Sequence, residues 1–131
     1  MKRSKPLPPR PTQAELGILR VLWERGPSSV REVHEALSEA RPGGYTTVLK
    51  QLQIMTVKGL VMRDESGRTH VYRAALAEEQ TQRQLLGDLL ERAFGGSASR
   101  LIQQALATKP TSREEIAEIR RLIDRAAGGK S

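Results

Sequence analysis

Apolar residues recur at helical spacing in three segments of the N-terminal half. Each segment begins and ends at residues that cap or break helices. The segments run from Thr12 to Gly26-Pro27, from Ser29 to residues 41–44 (RPGG), and from about Tyr45 to Lys58. The first two open with the capping-box patterns T-x-x-E and S-x-x-E. The pattern predicts three short helices, and the core residues on them are predicted to be Leu19, Trp23, Val33, Leu37, Leu49 and Leu52.

The apolar pattern changes its period after Gly59, which ends the third predicted helix. Leu60–Arg63 and Thr69–Arg73 are short segments rich in β-forming residues, and the loop between them contains Gly67, which is available for a positive φ. Three helices followed by a β-hairpin, with a short turn between the second and third helices, predict a winged helix-turn-helix domain. We expect this mainly α domain with its small β-hairpin wing to cover residues 12–75.

From residue 76 onward the apolar pattern is purely helical, with one segment ending at Gly95-Gly96, a second near Pro110 and a third opening with an S-x-x-E capping box at Ser112. Each predicted helix is short, and two interleaved copies would cover the apolar stripes better than one copy. We therefore predict that residues 76–131 form a homodimerisation region. The alternative is that these helices fold back on the N-terminal domain. The predicted dimerisation residues are Leu85, Leu86, Leu89, Leu90, Phe94, Leu101, Ile102, Ile116, Ile119 and Ile123.

The formal net charge of +7 is concentrated in the first part of the chain. Residues 1–75 contain 13 Lys and Arg against 7 Asp and Glu, whereas residues 76–131 contain 9 against 8. This asymmetry suggests that the N-terminal part faces a polyanion such as nucleic acid. The alternative is a basic surface without a polyanionic partner, since many soluble proteins are basic. Residues 1–11, which hold four prolines and four basic residues, are predicted to be a disordered arm. The arm either touches DNA phosphates or is a solvated tail.

Composition also narrows the function classes. The chain has no cysteine and only two histidines, which are far apart in sequence, so neither a disulfide framework nor a metal site is expected. We find no paired nucleophile and base and no phosphate-binding loop, so we expect neither an enzyme nor a cofactor. No apolar run approaches the roughly 20 residues that span a bilayer, and no secretory signal opens the chain. We expect a cytoplasmic protein that is not inserted in a membrane.

The outward face of the third predicted helix carries candidate DNA contacts. Thr46 and Thr47 lie in its first turn, where hydroxyls and N–H groups suit a phosphate or a base edge, although either residue could be a cap only. Lys50 lies at the centre of this face and could bond guanine or a phosphate, and Gln51 could bond adenine. Tyr45 could bond a phosphate or pack against the second helix.

The predicted wing adds three candidates at its tip and at the start of its second strand. Arg68 could enter the minor groove or hold a phosphate. Thr69 lies beside it, and His70 could donate to a phosphate or lie on the sheet surface.

Two stretches of the sequence resemble the penicillinase-repressor family, also called BlaI/MecI. They are LGILRVLWERGPSSVREVHEAL (Leu16–Leu37) and YTTVLKQLQIMTVKGLVMRDESGRTHVYRA (Tyr45–Ala74), in which LW-x-x-G-P, V-R-E-V, Y-T-T-V-L, K-G-L-V and R-x-H-V-Y follow in order. The resemblance extends to FGGS at residues 94–97 and covers about Thr12 to Arg125. It implies a dimer of winged-helix domains that binds a palindromic double-stranded operator and represses transcription.

The resemblance also implies a mode of release, in which a membrane-bound sensor protease triggers cleavage of an Asn-Phe bond in the dimerisation region of some members. The corresponding pair here is Gln104-Ala105, so this chain departs from the cleavage motif. The cysteine clusters of a copper-responsive branch are absent. Where many members have arginine in the third helix, this chain has Ile54. Either one phosphate contact of the family is missing here, or Ile54 could touch a thymine methyl or the wing.

The rival hypothesis is a winged-helix module that binds proteins and not specific DNA. An apolar patch on the outward face of the third helix would favour that role, and Ile54 and Val57 are apolar. Thr46, Thr47 and Lys50 on the same face favour DNA.

Overall fold

The computed structural model describes residues 8–37 and 44–128. Over these residues the chain is mainly helical with one small antiparallel sheet, as the sequence predicted, and the sheet has three strands in the order β1-β3-β2. The elements in chain order are α1 (Gln13–Arg25), β1 (Ser28–Ser29), α2 (Val30–Leu37), α3 (Tyr45–Lys58), β2 (Val61–Asp64), β3 (Val71–Ala74), α4 (Glu78–Phe94), α5 (Ala98–Thr108) and α6 (Arg113–Gly128).

Side-chain caps set the starts of the first two helices. The Thr12 hydroxyl accepts from the Glu15 N–H at 3.1 Å while the Glu15 carboxylate accepts from the Thr12 N–H at 2.9 Å, so both halves of the predicted capping box are formed. Ser29 and Glu32 form the same reciprocal pair at the start of α2. At the end of α1, Gly26 has a φ of 88°, which permits the turn into β1.

The sheet contains one strand that the sequence pattern did not predict. Ser28 and Ser29 pair antiparallel with Tyr72 and Val71, so the chain segment that precedes α2 is attached to the second strand of the wing. A two-residue strand is too short to show an alternating pattern, and its partner lies more than 40 residues away in sequence. This pairing places the first turn of α2 beside the wing.

The wing itself is a hairpin of β2 and β3, with Val61 opposite Ala74 and Asp64 opposite Val71. Its strands begin and end one or two residues later than predicted. The prediction for Gly67 was wrong: among the described residues the glycines with positive φ are at positions 26, 59, 95 and 96. The loop turns instead at Asp64, whose carboxylate accepts from the Ser66 N–H at 2.9 Å, and this hydrogen bond lowers the pKa of Asp64.

The core lies between α1, α2, α3 and the sheet, and it confirms the predicted core residues. Leu19, Val33 and Leu52 are buried, and Trp23, Leu37 and Leu49 are partly buried against them. Trp23 also donates from Nε1 to the Leu76 carbonyl at 3.0 Å, which satisfies its indole N–H. The full set of buried hydrophobic residues is Ile18, Leu19, Val21, Leu22, Val30, Val33, Val48, Leu52, Met55, Leu60, Val61 and Tyr72.

The chain divides into two compact units, Met1–Leu86 and Gly87–Ser131, and the division falls within α4. The proposed functional boundary at residues 75 and 76 stays a prediction. In the second unit, Gly95 and Gly96 end α4 with positive φ, and Ser97 caps α5 by accepting from the Arg100 N–H. The described part of the chain contains no helix that is both long and apolar enough to cross a bilayer.

Candidate nucleic-acid interface

The two faces of α3 differ in exposure as the helical periodicity predicted. Val48, Leu52 and Met55 are buried and anchor the helix on the core. The other face is solvent-exposed at Thr46, Thr47, Lys50, Ile54 and Val57, whereas Gln51 is partly buried at the edge. The core therefore fixes α3 firmly while leaving its polar side chains accessible.

The described residues at the start of α3 have features that favour an anion. Its N-cap is Gly44, which has no side chain to bond the first turn, and the backbone carbonyl of Gly44 accepts from the Thr47 and Val48 N–H groups. The first turn contains no acidic residue. The N-terminal end of a helix dipole favours negative charge, and the hydroxyls of Thr46 and Thr47 lie on this turn.

A cleft of about 460 Å³ joins the start of α2, the start of α3 and the wing. It brings together four of the predicted DNA-contacting residues, Tyr45, Arg68, Thr69 and His70, and it adds Arg31, which the sequence analysis missed. The remaining lining residues are Ser29, Val30, Leu49 and Tyr72. The cleft has two guanidinium groups, a histidine and hydroxyls, and no carboxylate among its lining residues, so it suits a phosphate group.

Arg31 could have been found from its position in the first turn of α2, in the V-R-E-V pattern. However, the sequence alone does not show that Arg31 lies near the other candidate DNA contacts. That proximity depends on the pairing of β1 with β3, which brings the wing beside the start of α2. Its neighbour Glu32 has a different role, because it completes the cap of α2.

Tyr45 packs against the second helix, which was one of its two predicted roles. Its ring lies edge-on to that of His34, with 6.3 Å between the ring centroids and an interplanar angle of 75°. Tyr45 is nevertheless 48% exposed and lines the cleft, so this packing leaves its other predicted role, contact with a phosphate, as a prediction.

The basic side chains of this region fall into two groups. Lys58 and Arg63 have carboxylate partners, Glu15 and Glu65, respectively, and the pKa of Arg63 is raised, mainly by a hydrogen bond with Tyr72. For Arg31, Lys50 and Arg68, by contrast, the described residues supply no ion-pair partner. Unpaired cations on one side of a domain are the expected source of attraction for a phosphate backbone.

The ion pair between Lys58 and Glu15 fixes the end of α3. Lys58 Nζ lies 2.7 Å from Glu15 Oε2, and Glu15 is only 5% exposed. Burial by itself raises the pKa of Glu15, but the hydrogen bonds from Lys58 and Thr12, together with the charge of Lys58, outweigh burial and lower it. Glu15 thus connects the start of α1 to the last turn of α3.

The predicted dimerisation residues lie on α4, α5 and α6, and none of them is buried. Within Gly87–Ser131, no described residue is buried at all, and α5 and α6 expose Ile102, Leu106, Leu122 and Ile123. Leu106 and Leu122 belong to the same helices and were not among the predicted interface residues.

The pair Gln104-Ala105 lies inside α5, on exposed helical backbone. The Gln104 carbonyl also accepts from the Thr108 hydroxyl at 2.6 Å. Cleavage of this bond would require α5 to open locally. Regulation by cleavage here stays a prediction.

The fold defines the chain as a winged-helix protein, and basic side chains lie on α3 and around the cleft beside it. A family model described as "Penicillinase repressor" matches residues 11–125. The chain therefore belongs to the penicillinase repressor family, which confirms the resemblance in the sequence, and this is a family of repressors and not of enzymes.

Individual relatives agree with this assignment. The chain is 38% identical over 80 residues to proteins named "Transcriptional regulator BlaI" from Mycobacterium tuberculosis strains CDC 1551 / Oshkosh and ATCC 25618 / H37Rv. That match covers 60% of this chain and 58% of each relative. This chain is also 24% identical over 116 residues to the "Penicillinase repressor" of Bacillus licheniformis. That second match covers 88% of this chain and 91% of the relative.

Proposed function

We propose that this chain is a transcriptional repressor that binds a palindromic DNA operator as a homodimer. The observation that carries the proposal is the continuous surface formed by the outward face of α3 and the cleft beside it. This surface, here called the α3–wing surface, holds Arg31, Lys50 and Arg68, to which residues 8–37 and 44–128 supply no carboxylate partner. The names of the family and of the relatives support the transcriptional-repressor part of this proposal.

The chemistry of DNA indicates which residues of this surface would contact bases and which would contact the sugar-phosphate backbone. The major groove admits a helix, and base edges there are read by hydrogen bonds, which Thr46, Thr47, Lys50 and Gln51 can supply. Arg31, Tyr45, Arg68, Thr69 and His70 surround the cleft and would hold the sugar-phosphate backbone. Base contacts give sequence preference, and backbone contacts give affinity and its dependence on salt.

Homodimerisation is supported by the incomplete burial of the helices of the second unit. Leu122 and Ile123 on α6 are each about half exposed, and Ile102 and Leu106 are exposed on α5. Apolar stripes on short helices are stable when a partner covers them, and a second copy is the simplest partner because both copies present the same stripe. A dimer would present two α3 helices to two half-sites about one helical turn of DNA, or a multiple of it, apart.

The test is selection of duplexes from a random-sequence library, followed by titration of the selected duplex and a scrambled duplex at several salt concentrations. We expect a two-fold symmetric sequence whose affinity falls steeply as salt rises. Lys50→Ala should weaken binding to the selected duplex by about tenfold, whereas Arg83→Ala, which removes an exposed cation from α4, should not. Equal and weak binding to both duplexes would contradict sequence-specific repression.

A second candidate function rests on one specific observation, the exposure of Ile54 and Val57 on α3. A protein-binding module would use such an apolar patch as its docking surface. The same titration separates the two functions, because a protein-binding module has no reason to prefer one duplex sequence.

A further inference from the structure

Two apolar side chains on α3 are exposed and contribute little to the core. Ile54 is 44% exposed and Val57 is 88% exposed, whereas Val48, Leu52 and Met55 on the inner face are buried. Hydrophobic stabilisation depends on the area removed from water, so the fold gains less from an isoleucine at position 54 than from one in the core. The exposed part of this side chain is therefore available for contact with a ligand.

Ile54 continues the row of side chains that the proposed function places in the major groove. Thr47, Lys50 and Ile54 are spaced i, i+3 and i+7 and are all exposed, so they lie on one face of the helix. A recognition helix presents side chains to base edges over about two turns in this way. With a rise of about 1.5 Å per residue, Ile54 lies roughly 6 Å further along α3 than Lys50.

The chemistry of the major groove limits what Ile54 can recognise. The C5-methyl group of thymine is the one apolar substituent on the base edges there; cytosine has only a hydrogen at C5, and the groups that distinguish the other bases are hydrogen-bond donors and acceptors. An isoleucine side chain against a donor or acceptor would remove water from that group without replacing the hydrogen bond, which is unfavourable. Against the thymine methyl it buries apolar surface on both sides.

We propose that Ile54 contacts the C5-methyl group of one thymine in each operator half-site and so specifies an A·T pair at that position. The helical rise places this contact beyond the one made by Lys50, toward the C-terminal end of α3. The inference rests on the proposed function and deepens it, because it makes Ile54 a specificity-determining residue of the same surface.

The experiment removes single methyl groups from the DNA. Each thymine of the selected duplex is replaced, one symmetric pair at a time, by deoxyuridine, which leaves all hydrogen-bonding groups unchanged. We expect one pair to weaken binding of the unmodified chain by about fourfold per half-site, the effect of one buried methyl group. Ile54→Ala should bind the thymine and deoxyuridine duplexes equally at that position, whereas Ile54→Val should keep part of the preference.

Val57→Ala is the matched control, because it also truncates an exposed β-branched side chain of α3 but lies one turn further from Lys50. It should keep the full preference for thymine, and helical circular dichroism should show all three variants folded. Tolerance of deoxyuridine at every position, or an unchanged thymine preference in Ile54→Ala, would overturn this inference while leaving the proposed function intact. Failure to select any preferred sequence would overturn both.

Discussion

At the scale of single residues, adjacent positions of α2 show how folding and binding are separated. Glu32 accepts from the Ser29 N–H and completes the cap, so its carboxylate serves the helix. Arg31 instead lines the cleft between α2, α3 and the wing. Both side chains are exposed, so their contacts, and not their exposure, distinguish the two roles.

Arg31→Ala should weaken binding to the selected and the scrambled duplex by a similar factor, because a phosphate contact carries no sequence information. It should also lower the slope of log affinity against log salt by about one, as expected for the loss of one phosphate contact. Fluorescence-anisotropy titrations at several salt concentrations measure both quantities. A loss confined to the selected duplex, with the salt slope unchanged, would show that Arg31 contacts a base instead.

Glu15→Gln should destabilise the protein by about 1 kcal/mol at neutral pH, because glutamine can still accept at the cap but loses the charge that pairs with Lys58. The pKa of Glu15 is lowered from 4.5 in the folded chain, so its stabilisation is complete above that value and is lost as the pH falls through the folded pKa. The difference in unfolding free energy between the two proteins should therefore shrink below about pH 4.5.

Urea unfolding of both proteins from neutral pH downward, at one protein concentration, measures this difference. A difference that stays constant across the acid range would mean that the Glu15 charge does not contribute. Thr12→Ala serves as the comparison, because it removes a hydroxyl from the same cap without removing a charge.

At the scale of elements, the sequence predicted what is determined locally. The helix boundaries are an example. The capping boxes of α1 and α2 and the glycine after α3 lie within a few residues of the helix ends that they determine, so these ends could be predicted from the sequence pattern. The short strand β1 was not predictable, because it exists only through its pairing with Tyr72 and Val71. Since this pairing also brings Arg31 to the wing, one long-range contact explains both the missed strand and the missed site residue.

The end of α3 depends on Gly59, which has a φ of 84° and whose N–H bonds the last carbonyls of the helix. Gly59→Ala should destabilise the protein by about 1 kcal/mol, because a Cβ is strained in the left-handed region. Contact with residues elsewhere in the fold is not the cause, since the nearest such atom to an added Cβ would be Pro8 Cβ at 3.9 Å.

Gly87→Ala is the control, because we expect it to raise stability where Gly59→Ala lowers it. Gly87 lies within α4 without a positive φ, and an added Cβ would meet nothing within 4 Å, so the substitution should stabilise the helix by up to about 1 kcal/mol. Thermal and denaturant unfolding compare the two variants. Equal effects of the two substitutions would show that backbone conformation at Gly59 is not what limits alanine there.

At the scale of the whole molecule, the basic charge is concentrated in one part of the chain, whereas exposed apolar side chains occur in both parts. The excess of basic residues lies in residues 1–75, which also expose Ile54 and Val57 on α3. The helices of the second unit carry little excess charge and expose Leu122 and Ile123. The sequence predicted the charge distribution, but the exposure of Leu122 became known only from the structure.

Ile123→Glu should convert the proposed dimer into monomers, because it places a charge in the apolar stripe of α6. Each monomer can still bind one half-site, but it loses the increase in affinity that arises when two linked winged-helix domains bind two half-sites together. Binding to the full selected duplex should therefore weaken by about a hundredfold or more, whereas binding to a duplex with a single half-site should change little. Sedimentation equilibrium gives the oligomeric state, and anisotropy gives the affinities.

Arg125→Glu is the matched control for this prediction, because it changes the charge of α6 by a larger amount. It lies two positions after Ile123, which places it on nearly the opposite side of the helix. If Arg125→Glu also produced monomers, net charge and not the apolar stripe would govern association. If Ile123→Glu stayed dimeric, α6 would not contribute this residue to the interface. If it became monomeric yet bound the full duplex as before, the two half-sites would be occupied independently, and the dimer would have no role in recognising the palindrome.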